Sequence, residues 1–129
     1  MNSSKSRPIR RLFVFGSLVA FAFALCVVGA RTQSATTVTV TITPANPPTV
    51  SPDPANISKS AGDQVEWSCP NCTSGFAIHF PQGSPFSSGS FSNSHAQSGP
   101  ARSNAATGTY HYSVTVNGHT ADPGVKVNP

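Results

Sequence analysis

The chain has 129 residues, with eight Lys and Arg against four Asp and Glu and a formal charge of +4. That excess vanishes once the charges are located: Lys5, Arg7, Arg10 and Arg11 stand in the first eleven residues, and beyond them Arg31, Lys59, Arg102 and Lys126 balance Asp53, Asp63, Glu66 and Asp122. No basic patch is left to neutralise a phosphate backbone, which excludes electrostatic capture of nucleic acid, and the roughly one hundred residues after the first thirty suffice for one domain around one core.

The basic start is followed by a charge-free, largely apolar run from Leu12 to Ala30, the pattern of an export signal helix. Val28-Gly29-Ala30 puts small residues where a signal peptidase reads them, so cleavage is expected near Ala30, with Arg31 as the mature start. The alternative is an uncleaved anchor, since nineteen residues can span a bilayer; that segment would then be the only membrane contact. Arg10-Arg11-Leu12-Phe13-Val14 resembles the twin-arginine export motif, with Ile9 where Ser or Thr is usual. General secretion is the other route. The chain thus divides into a signal peptide (1–30), a polar leader (31–36) and a domain (37–129), destined for the periplasm or the medium.

Thr37 to Thr43 alternates Thr with Val38, Val40 and Ile42, a period-two pattern that predicts a strand with the aliphatic residues facing a core. Five prolines between 44 and 54 remove ladder donors, which predicts a connection with a short edge piece at Thr49-Val50. Ile57–Ser60 and Gln64–Ser68 read as strands around an Ala61-Gly62-Asp63 turn, with Val65 and Trp67 on one face. Phe76, Ile78 and Phe80 alternate next, leaving Ala77 and His79 on the opposite side. Residues 81–106 are rich in Ser, Gly, Asn and Pro; such a length predicts a weak strand within, near 90–97 or 98–103.

Thr109 to Val116 is the strongest strand pattern, with Tyr110, Tyr112, Val114 and Val116 on one face, and a central position is expected for it. Asn117-Gly118 is a tight-turn dipeptide, and Asp122-Pro123-Gly124 marks a turn before a last strand at Val125–Val127. No useful helical period occurs after residue 30. Seven or eight short strands separated by turns predict an all-β protein, an antiparallel Greek-key β-sandwich.

The order of four pieces gives that expectation a family. Ala61-Gly62-Asp63-Gln64-Val65-Glu66-Trp67, Pro85-Phe86, Gly108-Thr109-Tyr110-His111-Tyr112 and Asp122-Pro123-Gly124-Val125 together resemble the cupredoxin superfamily, the blue-copper sandwich of plastocyanin and azurin. The resemblance covers nearly all of 37–129. It implies a copper site in which a Cys thiolate follows the Gly-Thr-Tyr strand, with two His and a weak axial donor, usually Met. In the register set by Tyr110 and Tyr112, Val114 stands where that Cys would be. His119 lies five residues beyond it, His79 is the candidate upstream His, and no Met occurs after Met1. The resemblance therefore supports the fold and removes the usual activity.

Cys69 and Cys72 frame Cys-Pro-Asn-Cys, the pair left once Cys26 departs with the signal. In an oxidising compartment the simplest state is a disulfide pinning the turn after Trp67; redox exchange and metal ligation are the alternatives. A metal would draw on His79, His119 and His111, none of them at a recognised zinc spacing. No Gly-x-Ser-x-Gly elbow and no carboxylate pair support an enzyme. An immunoglobulin-like sandwich is disfavoured because both cysteines follow Trp67. Asn56-Ile57-Ser58 and Asn71-Cys72-Thr73 match the glycosylation pattern.

The sequence thus points to an exported, non-enzymatic cupredoxin-like domain that has lost the type 1 copper centre and acts as a binding or structural module. It would need no cofactor, and its partner is an unidentified protein or small ligand. The alternative is a copper-binding protein with a non-blue site on His79 and His119, helped by His111 or the Cys pair, in periplasmic copper handling or electron transfer.

Overall fold

A computed structural model describes residues 33–129, so the signal segment and its cleavage site lie outside the described residues. Eleven strands follow in chain order: β1 (Thr37–Thr43), β2 (Thr49–Ser51), β3 (Ala55–Ser58), β4 (Gln64–Ser68), β5 (Ala77–His79), β6 (Ser90–Ser92), β7 (Gln97–Pro100), β8 (Gly108–His111), β9 (Ser113–Val116), β10 (His119–Ala121) and β11 (Gly124–Asn128). No helix occurs among the described residues. The described residues are all-β.

The strands form three sheets, ordered β2-β1-β4-β7, β10-β9-β5-β6 and β3-β11-β8. The predicted strand at 109–116 is divided at Tyr112 into β8 and β9, so one stretch of chain links the second sheet to the third. β9 is central, between β10 and β5, while β8 is an edge strand. The expectation of wholly antiparallel pairing needs correction, because β1 runs parallel to β4 and β3 parallel to β11. Period-two alternation fixes which face a residue takes but not the direction of its neighbour. The turn at 61–63 likewise passes the chain from the third sheet to the first instead of closing a hairpin.

Alternation does set the core. Val40, Ile42, Val65, Trp67, Ile78, Tyr112, Val114, Val116, Val125 and Val127 are all buried, and they come from all three sheets. Gly62, at φ +79°, takes the left-handed turn conformation that the sequence reserved for it. Asn117 and Gly118 both have positive φ, and with Val116 paired to His119 they make the two-residue turn whose twist suits a hairpin. Between β4 and β7 the register shifts at Val65, whose N–H donates to the buried Ser98 hydroxyl at 2.8 Å and so is not orphaned.

The 81–106 stretch departs most from its polar composition. It holds two strands, β6 and β7, and it inserts Phe86 and Phe91 into the core. Trp67 packs against Phe91 at 4.8 Å between centroids, Tyr112 at 5.6 Å, and Phe80 and Phe86 at 6.4 Å each. Most of these contacts are edge-on, the arrangement that ring quadrupoles favour.

Candidate functional site

The position that would define a copper centre is Val114. It is fully buried in β9, with Ile78 of β5 opposite on one side and Ala121 of β10 on the other. Three aliphatic residues in a row give a hydrophobic contact line across the sheet and no donor for a metal. The tight turn at 117–118 brings His119 into register with Val116, two residues from Val114, and leaves its side chain exposed.

His79 pairs with Ser113 on the other side of β9 and points outward, where its Nδ1 lies 3.2 Å from the Ser90 hydroxyl. Three residues along β9 and two strand spacings across separate His79 from His119, about 14 Å between Cα atoms from ordinary strand dimensions. His111 ends β8 beyond the Tyr112 break, exposed and opposite Gly124. His95, in the loop before β7, stacks flat on Phe91 with an interplanar angle of 13°. Among the described residues no three His, Cys, Asp or Glu side chains converge on a common point. The residues at the expected centre therefore do not fit a type 1 copper ion.

Cys69 and Cys72 are joined in a disulfide. The Cys72 N–H donates to the Cys69 carbonyl, and the Gly75 N–H to the Cys72 carbonyl, so the bridge sits in a hydrogen-bonded double turn directly after β4. Both half-cystines pack against the core. A bridge of this kind persists in oxidising compartments.

The core also holds a polar anomaly. The Trp67 Nε1 and Tyr112 hydroxyl are buried and make no hydrogen bond of ordinary geometry. Burial pushes the Tyr112 phenol up to about 12, with the Trp67 indole working against the shift and the Asp53 carboxylate, more weakly, adding to it. The consequence is measurable. Between about pH 10 and 12 the unfolded chain has lost this proton and the folded chain keeps it, so stability is full below that range and falls with rising pH, by about 3 kcal/mol in all. Tyr112→Phe should remove this alkaline loss, and near neutrality it should be neutral or stabilising, because the hydroxyl has no partner to forfeit. Urea titrations of both proteins at neutral and alkaline pH check both statements; equal alkaline slopes would contradict them.

Concave surfaces with charged side chains occur among the described residues. One, about 350 Å³, is lined by Gln82, Gly83, Ser84, Arg102 and the β8 residues Thr109, Tyr110 and His111. Another, about 300 Å³, brings Asp53 and Asp122 beside Pro48 and Pro123, with the Asp53 Oδ1 accepting the Gly124 N–H at 3.0 Å. Sequence patterning does not single out the first, because Arg102 lies in a stretch that looks like a loop; its one signal is an isolated Arg in an otherwise uncharged segment. No family model, curated protein or solved structure matches this chain.

Proposed function

We propose that this protein is an exported, non-enzymatic β-sandwich of the cupredoxin-like Greek-key kind that works as a binding or structural module without a type 1 copper centre. The observation that carries this reading is Val114, fully buried and flanked by Ile78 and Ala121 at the register where the family places its thiolate. A packed aliphatic there contributes to the core, as the loss of a buried ligand pocket would require.

Export is supported by the charge distribution of the first thirty residues and by the Cys69–Cys72 disulfide. The order of the Gly-Asp-x-Val-x-Trp, Gly-Thr-Tyr-x-Tyr and Asp-Pro-Gly-Val pieces supports the family.

The test is copper itself. Purified protein titrated with Cu(II) in a calorimeter should show no stoichiometric tight binding, and its visible spectrum should stay free of the intense band near about 600 nm that thiolate-to-copper charge transfer produces. Tight binding without that band would replace this reading by a non-blue copper protein using His79 or His119, and the band itself would overturn both.

A further inference from the structure

The cleft lined by Gln82–Ser84, Arg102 and Thr109–His111 arises from a strand pair that is not completed. In the register that sets His79 opposite Ser113, the next residues of the chain would run beside β8. Pro81 has no N–H to continue the ladder, and the chain instead turns back on itself, the Gly83 N–H donating to the Phe80 carbonyl. β8 consequently keeps a free edge, since among the described residues its ladder is with β11 alone. The wedge between that edge and the 82–84 turn is the cleft.

Among its lining residues is a tethered, exposed cation, Arg102. The Arg102 N–H donates to the Pro85 carbonyl at 2.8 Å and its own carbonyl accepts the Ala105 N–H at 2.9 Å, which fixes the backbone. One guanidinium nitrogen, Nη2, donates to the Ser84 carbonyl. The guanidinium has five N–H donors, so most remain for a ligand. No residue lining the cleft carries a carboxylate. The acids lie elsewhere: Asp63 accepts the Thr36 and Ser58 N–H groups, Asp53 accepts that of Gly124, Asp122 lies beside Asp53 in the second cleft, and Glu66 lies in β4 of the first sheet. Lys126, directly opposite Thr109 on β11, adds a second positive charge on the same side of the sheet.

We propose that this cleft is a carboxylate-binding site, with Arg102 as its anchor and the His111 imidazole at its rim. A planar guanidinium fork already tethered by one arm matches the two oxygens of a carboxylate. A phosphate dianion would call for more cations than the lining supplies. The carboxylate comes from a small organic acid or from the C-terminus of an extended peptide, and the free edge of β8 offers backbone groups to the latter. The inference gives a ligand class to the binding-module reading and rests on it.

The experiment is an amide NMR titration of the purified protein with sodium acetate, with Ala-Ala-Ala, and with the same tripeptide amidated at its C-terminus. Acetate and the free tripeptide should shift the amides of 82–84, 102 and 109–111, and the amidated peptide should not. Tighter binding of the tripeptide assigns the peptide source, and tighter binding of acetate the small acid. Arg102→Gln should weaken either by about tenfold to a hundredfold, and Arg102→Lys by less; the remaining amides report whether each variant is folded. Shifts that survive Arg102→Gln, no shifts in the cleft, an equal response to the amidated peptide, or tighter binding of inorganic phosphate would each overturn the site. Copper binding beside an intact acetate response would overturn the module reading and leave the site standing.

Discussion

Trp67→Ala is expected to cost about 3–5 kcal/mol, enough to leave a domain of this size partly or wholly unfolded, given total stabilities of about 5–15 kcal/mol. Trp67 is 1 % exposed and stands where three segments meet: β4 carries it, Phe80 follows β5, and Phe86 and Phe91 reach it from the long polar stretch. Its ring contacts with Phe80, Phe86, Phe91 and Tyr112 are the principal aromatic packing of the core. Removing the indole therefore leaves a cavity lined by rings from separate parts of the chain, which cannot collapse together without moving two sheets.

Trp67→Phe should lose much less, because one ring remains and the unpartnered Nε1 leaves with the indole. Urea unfolding followed by far-ultraviolet circular dichroism measures both, independent of the tryptophan signal that the substitutions remove. A Trp67→Ala protein within about 1 kcal/mol of the parent would show that the cluster is not what holds the 81–106 stretch to the core.

That stretch also marks where the sequence stopped being informative. β1, β4, β5 and β9 were legible because each presents several alternating apolar residues, and the Asn-Gly and Gly-Asp turns were legible because few residues take a positive φ without strain. β6 and β7 were legible only as one weak strand expected near 90–97 or 98–103 from the length of the stretch: Ser90-Phe91-Ser92 and Gln97-Ser98-Gly99-Pro100 expose mostly polar groups, and a single Phe or a hydroxyl cannot show a period. Their order comes from partners distant in sequence, β5 and β4. The parallel pairings escaped for the same reason, since β3 and β11 are joined only after nearly the whole domain has been laid down.

Site residues divide along the same line. The outward face of His79 and the burial of Val114 followed from alternation, whereas the separation of His79 from His119 depends on which strands flank β9, a fact of topology. Arg102 is the clearer case: its neighbours in the cleft are eighteen residues upstream at Ser84 and on β8 downstream. Nothing local to Arg102 announces them.

Asp63 carries the other large effect. Its carboxylate is shared between two backbone donors that belong to different segments, the Thr36 N–H at 2.8 Å on Oδ1 and the Ser58 N–H at 2.9 Å on Oδ2. The same turn is tied by the Asp63 N–H to the Ser58 carbonyl and by the Gln64 N–H to the Thr36 carbonyl. One side chain thus fastens the entry to β1 and the end of β3 at the start of β4, where the chain changes sheets. Hydrogen bonds to a charged acceptor contribute about 1.5–3 kcal/mol each, and partial exposure at the Thr36 end lowers that bond's share, so Asp63→Ala should cost about 2–4 kcal/mol. Asp63→Asn retains one carbonyl acceptor and loses the charge, and it should fall between alanine and the parent. Urea unfolding gives the order, and amide hydrogen exchange gives the place: Thr36 and Ser58 should lose protection in Asp63→Ala, and one of the two in Asp63→Asn. If alanine and asparagine were equivalent, the effect would lie in the turn's own backbone preference and not in the two bonds, because only the bonds distinguish a side chain with one acceptor from a side chain with none.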